Sequence, residues 1–137
     1  MLLDTSGLLA ALDSSQRLHA EAAASLGAAT PPFLLSPFVL AELDYLVAGR
    51  VGPAARASLL REVERGAYQL QPFSGLDVRD ARAIIERHLD PRISLADASI
   101  AVLAARHRIR EVLTLDERHF RVLTARGKPF RLLPADA

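Results

Sequence analysis

Four carboxylates, Asp4, Glu42, Asp97 and Asp116, stand where a wound α/β chain would bring them to one place. Asp4 and Asp116 each end a short apolar run, Asp97 opens a helical segment, and Glu42 falls on a helical row with Val39 and Leu46. Two unit charges about 4 Å apart repel by roughly 4 kcal/mol at an effective dielectric of 20, so such a cluster costs stability unless cations sit in it. Carboxylate oxygens that keep several waters suit Mg²⁺ or Mn²⁺. Water activated there can attack phosphorus, with one ion and a carboxylate base or with two ions about 3.5 to 4 Å apart. The residues leave the ion count open.

Each acid also has a plainer role. Asp4 can cap the helix that follows it, although Thr5-Ser6 supplies hydroxyls to orient its carboxylate. Glu42 on an apolar row is costly unless paired, and its head can reach an arginine or solvent instead. Ser94-Leu95-Ala96-Asp97 has the S-x-x-D form of a capping box, while Ile100, Ala101 and Ala104 continue the row of Asp97. Asp116 precedes a helix with Phe120 and Leu123, again as a cap, and Thr114 lies on its side of an extended segment. The set is more telling than any member: three acids at loop-to-helix starts and one on an apolar row.

The elements that must position them alternate. Residues 1–4 followed by Thr5-Ser6-Gly7 and the run Leu8 to Leu12 read as strand, turn, helix. A second helix is expected over about Gln16 to Ala28; Pro31-Pro32 blocks it and leads to the strand-like Phe33-Leu34-Leu35. Helices follow over Pro37 to about Ala48 and over 54–65, then a strand at Tyr68 to Gln71 and a helix over 76–89. Ser94 to about His107 reads as helix, Glu111 to Leu115 as strand, Asp116 to Ala125 as helix, and Phe130 to Leu133 as a last strand. This is an α/β pattern with a mostly parallel central sheet and helices on both faces, where ligands sit beyond the carboxyl ends of the strands.

At 137 residues, half of them hydrophobic, the chain suits a single domain, residues 1–137. It has no cysteine, which excludes disulfides and thiolate metal sites and fits a reducing, cytoplasmic setting. Asp4 stands where a signal peptide needs a basic region, and no apolar run approaches the roughly 20 residues of a membrane span. His19, His88, His107 and His119 lack short ligand spacings and read as surface or partly buried histidines, so zinc is not expected. The seven glycines are too dispersed for a phosphate loop, and no G-x-S-x-G occurs. Net charge is +1, yet residues 106–131 hold eight basic residues against three acids. Arg106, Arg108, Arg110, Arg118, Arg121 and Arg126 are thus candidate contacts for a polyanion or ordinary solvated side chains; Arg106 and Arg110 share a face only if the helix continues past His107.

Met1-Leu2-Leu3-Asp4-Thr5-Ser6, the stretch Ser36 to Leu46, Leu95-Ala96-Asp97-Ala98 and the stretch Leu113 to Phe120 together resemble the PIN-domain ribonucleases, and among them the VapC-type toxins of bacterial toxin-antitoxin pairs. The resemblance spans nearly the whole chain. It implies a PIN-like three-layer α/β/α fold and an acidic quartet in which Asp4 and Asp97 are the most direct Mg²⁺ ligands, with Mn²⁺ able to substitute. Glu42 and Asp116 then support the metal or its water, and Thr5, Ser6 and Thr114 orient the acids. It further implies a homodimer, a VapB-type antitoxin whose tail covers the cleft, and cleavage of single-stranded or looped RNA such as tRNA or rRNA loops. Two other classes stay open: a non-catalytic RNA- or protein-binding PIN module, and a phosphohydrolase of another doubly wound family, disfavoured because Ser6 stands where a second aspartate is usual.

Overall fold

The computed structural model describes all 137 residues. Strands β1 (Leu2–Leu3), β2 (Leu34–Leu35), β3 (Gln69–Leu70), β4 (Glu111–Leu113) and the last strand, β7 (Arg131–Leu133), form one sheet in the order β3-β2-β1-β4-β7, parallel throughout. Connections first run outward from β1 through β2 to β3, then cross to β4 on the other side of β1. The order therefore reverses between β1 and β4, and a crevice opens beyond their carboxyl ends.

Helices α1 (Thr5–Leu12), α2 (His19–Ala28), α3 (Pro37–Arg50), α4 (Pro53–Glu64), α5 (Gly75–Arg87) and α6 (Leu95–His107) flank the sheet. Leu2, Leu3, Leu35, Val112, Leu113 and Leu132 are fully buried between the layers, in a contiguous apolar cluster of 28 residues. Each such leucine contributes about 1.5 to 3 kcal/mol relative to an exposed one. Helix α6 is buried without interruption from Ala96 to Ala104, because its small residues let it lie against other elements on several sides. Gly7 permits a second close approach: a Cβ there would lie 2.2 Å from the Leu113 carbonyl oxygen, so α1 can rest on the end of β4 only with glycine.

Several expected boundaries move. Helix α1 begins at Thr5, absorbing the expected turn, and α2 begins at His19. The helix expected to Ala125 is a single turn, α7 (Glu117–Phe120), because β5 (Thr124–Ala125) and β6 (Lys128–Pro129) form an antiparallel hairpin. Its two loop residues, Arg126 and Gly127, both have positive φ, 53° and 75°, the backbone of a tight hairpin turn. Helix α6 ends at Arg108 in the left-handed conformation, so Arg106 and Arg110 do not share a helix face. Nor does Glu42 lie on a buried row: Val39, Leu43 and Val47 form that row, and Glu42 is exposed beside it.

Candidate active site

Asp4 leaves the end of β1 with its backbone N–H donating to the Leu113 carbonyl at 3.0 Å, which fixes it against β4. Its Oδ2 accepts from Ser6 Oγ at 2.6 Å and from Thr114 Oγ1 at 2.7 Å. Ser6 Oγ in turn accepts from the Leu115 N–H, and Thr114 Oγ1 from the Asp116 N–H, both at 2.9 Å. These bonds hold the carboxylate by Oδ2 and leave Oδ1 for a ligand. Burial raises its pKa to about 6 against the help of both hydroxyls, with the Asp97 charge adding to the rise.

Asp97 sits in the first turn of α6 as the acidic partner of a capping box. Its Oδ2 accepts from the Ser94 N–H at 3.0 Å, and Ser94 Oγ accepts from the Asp97 N–H at 3.1 Å. It is nonetheless buried, and burial holds its pKa above the usual carboxylate range, opposed by the Ser94 backbone bond and by His119. Asp116 caps α7 by accepting from the His119 N–H at 3.1 Å. Cap and inward-facing acid are thus compatible roles at both positions.

Glu42 reaches the same place from α3, its Oε2 accepting from Thr5 Oγ1 at 2.9 Å. Asp4, Thr5, Ser6, Glu42, Asp97 and Asp116 line one cleft of about 310 Å³, and Thr114 lies buried beneath Asp4. Three further residues belong here. Gln16 and Arg50 line the cleft, and Arg50 is spaced four residues from Leu46 and eight from Glu42, a helical repeat that marks one face of α3. His119, expected as a surface or partly buried histidine, has both ring nitrogens buried; its Nδ1 is 2.8 Å from Asp116 Oδ2 and 3.2 Å from Asp97 Oδ2. Asp97, Asp116 and His119 offer ligand atoms all within 4.8 Å of one another. The sequence signal was Asp116-x-x-His119, one helical turn.

The six candidate arginines do not share a surface. Arg106 pairs with Asp77 at 2.6 Å and donates to the Pro72 carbonyl, and Arg121 pairs with Glu117 and Asp136. Arg118 is exposed and 3.8 Å from Asp90. Arg108, Arg110 and Arg126, with Lys128, line a separate concavity of about 360 Å³ and form no ion pair. Along α6 at about 1.5 Å per residue, Ala104 and Arg108 stand roughly 10 and 16 Å beyond Asp97, at the far end from the cleft.

No arginine or lysine lies within ion-pair distance of Asp4, Glu42, Asp97 or Asp116. Buried carboxylates are costly without compensation. The donors are carboxylate oxygens and one imidazole, and the two buried ring nitrogens of His119 have no hydrogen-bond partner. The set fits a divalent cation, with Asp4 and Asp97 as the residues that would hold it and Glu42 and Asp116 beside them.

The chain matches the family model described as PIN domain over residues 1–124. It is 42% identical over 127 residues to "Ribonuclease VapC26" of Mycobacterium tuberculosis, covering 93% of this chain and 94% of that one. The fold is similar to the crystal structure of Mycobacterium tuberculosis VapC20, a sarcin-ricin loop cleaving toxin, at a TM-score of 0.79 and 19% identity over 86% of this chain and 91% of that one. It is similar also to FitAcB from Neisseria gonorrhoeae, at a TM-score of 0.65 and 25% identity, covering 95% and 96% of the two chains. Together with the carboxylates gathered at the carboxyl ends of β1 and β4, these likenesses place the chain in the PIN-domain family, among its VapC-type ribonucleases.

Proposed function

We propose that this protein is a divalent-metal-dependent endoribonuclease, the toxin of a toxin-antitoxin pair, with residues 1–137 acting as one PIN domain. The carrying observation is that the buried Asp4 and Asp97 meet Glu42 and Asp116 in one cleft with no arginine or lysine in ion-pair distance of any of the four. The relatives' names, a ribonuclease and a toxin, support the reaction and the biological role. Leu132 and Leu133, beyond the family match, belong to the same apolar core as Leu2 and Leu3, which supports one domain.

A bound Mg²⁺, or Mn²⁺ in its place, supplies a Lewis acid for the phosphodiester and lowers the pKa of water. The chain's residues do the rest. Asp4 and Asp97 would be the direct ligands; Ser6 and Thr114 pin Asp4 through Oδ2, so its other oxygen would need no reorganisation. Thr5 fixes Glu42 at the rim, where its unbonded Oε1 is placed to take a proton from the attacking water. Asp116 supports from the start of α7, Arg50 in the cleft lining can meet an RNA phosphate, and the exposed Arg118, two residues beyond Asp116, is a second contact for the RNA.

The substrate is single-stranded or looped RNA, such as a tRNA or rRNA loop, whose phosphates are accessible. Arg108, Arg110 and Arg126 contact the backbone of a larger folded RNA away from the cut, whereas Arg106 and Arg121 are engaged within the protein. A VapB-type antitoxin covers the cleft, the active form is a homodimer, and the setting is cytoplasmic. No helix is long and apolar enough to cross a membrane. Total RNA incubated with the protein should be cut in Mg²⁺, spared in EDTA and cut again when Mg²⁺ is restored; undiminished cleavage in chelator would remove the metal from the mechanism.

A further inference from the structure

His119 is placed by the turn that carries it. Asp116 accepts its backbone N–H, which folds the imidazole back over the capping carboxylate and toward the start of α6. Nδ1 then lies 2.8 Å from Asp116 Oδ2 and 3.2 Å from Asp97 Oδ2, yet neither approach has hydrogen-bond geometry, and both ring nitrogens are buried without a partner. Leaving a buried polar atom unsatisfied costs about 1 to 3 kcal/mol, and an ion held by all three groups, whose ligand atoms lie within 4.8 Å of one another, would satisfy Nδ1 together with the two carboxylates. Adjacent ligands of an octahedral ion with bonds of about 2.1 Å sit about 3 Å apart, which is the separation seen here.

We infer that His119 Nδ1 is itself a metal ligand, forming with Asp97 and Asp116 a nitrogen-containing divalent-cation site that favours Mn²⁺ and related first-row ions over Mg²⁺. The inference rests on the metal dependence proposed above and assigns this half of the cleft its ion. Mg²⁺ takes oxygen donors, whereas imidazole strengthens binding of first-row transition ions. On the other side of the ring, Nε2 lies 3.7 Å from Asp90 Oδ2. Asp90 is a positioning residue acting as a charge beyond hydrogen-bond reach, one that favours the N–H on Nε2 and leaves Nδ1 for the ion. Asp4 and Glu42 offer only oxygens, so the cleft has two chemically unlike halves.

Electron spin echo spectroscopy of the Mn²⁺-loaded, full-length protein tests this directly. The wild type should show coupling to an imidazole ¹⁴N that changes isotope pattern when histidine is ¹⁵N-labelled, and His119→Gln should lose it. Calorimetric titration should show the preference for Mn²⁺ over Mg²⁺ shrinking by about tenfold or more in His119→Gln, and by less in Asp90→Asn. An oxygen-only Mn²⁺ spectrum in the wild type overturns the inference even if His119→Gln does not fold, and so does an unchanged preference in a His119→Gln protein that melts like the wild type. A protein that cleaves RNA with an oxygen-only spectrum keeps the proposed function and loses this site; nitrogen coupling without cleavage does the reverse.

Discussion

At the carboxyl ends of β1 and β4, Asp4 is 5% exposed with no cation beside it, whereas beyond the far end of α6 Arg108, Arg110, Arg126 and Lys128 are exposed and also lack counter-ions. The two regions hold unpaired charge at very different cost. Water screens the exposed cations, so they can be kept or lost with little effect on the fold. The buried acid is opposed by desolvation, and two hydroxyls, a glycine approach and a strand pairing are committed to holding it. A charge retained at that cost points to a ligand; a charge that is cheap to keep points to weak, salt-sensitive contact.

Replacing Asp4 breaks the comparison most completely. Asp4→Asn should reduce RNA cleavage by more than about 100-fold, beyond what loss of a mere supporting group causes. It should also raise the stability of the metal-free protein. In the fold Asp4 takes up its proton near pH 6, against 3.8 when unfolded, so the folded chain binds the extra proton between these values. The contribution of this group is present below about pH 4 and lost as pH rises through about 6, a loss of roughly 3 kcal/mol at pH 7 that the asparagine avoids. Chemical denaturation at pH 4 and pH 7 checks the sign: the two proteins should differ at pH 7 and converge at pH 4.

Thr114→Val is the next largest. It removes one of the two donors to Asp4 Oδ2 with little change in volume and should lower metal affinity or activity by about 10- to 100-fold, measured by titration with Mn²⁺. Gly7→Ala acts through packing, because the new methyl would meet the Leu113 carbonyl; a loss of about 1 to 3 kcal/mol in denaturant melts is expected, together with weaker metal binding as β4 shifts. At the cation-rich end the effects are smallest. Arg126→Ala should weaken RNA binding only a few-fold and reduce the slope of log affinity against log salt by about 1, leaving Mn²⁺ affinity untouched.

The same asymmetry of cost decides what could be seen in the chain. Asp4 and Asp116 were visible because apolar runs deliver them to strand ends, and Ser94 with Asp97 because a capping box has a local spacing. Glu42 is legible for a mistaken reason: spacing sets it on an apolar row with Val39 and Leu46, whereas the buried row is Val39, Leu43 and Val47, and α3 still carries Glu42 to the rim. His119 escaped because its partner Asp97 is distant in sequence, and the adjacent Asp116-x-x-His119 is only one turn of helix. The helix expected to Ala125 failed at Arg126-Gly127, where a non-glycine residue adopts positive φ to close a hairpin that local propensity does not favour. The arginine set was legible as a charge bias but not as a surface, since pairing with Asp77 or Asp136 depends on tertiary placement.

An acid cleft that cuts RNA differs from one that merely holds it. Single-turnover cleavage and equilibrium binding of the same looped RNA, measured in Mg²⁺ for the wild type and Asp4→Asn, separate the two. Cleavage should fall by more than about 100-fold while RNA affinity stays within a few-fold of the wild type. Equal cleavage by the two proteins, or a wild type that binds the RNA and leaves it whole, would contradict the proposed metal-dependent cleavage at Asp4.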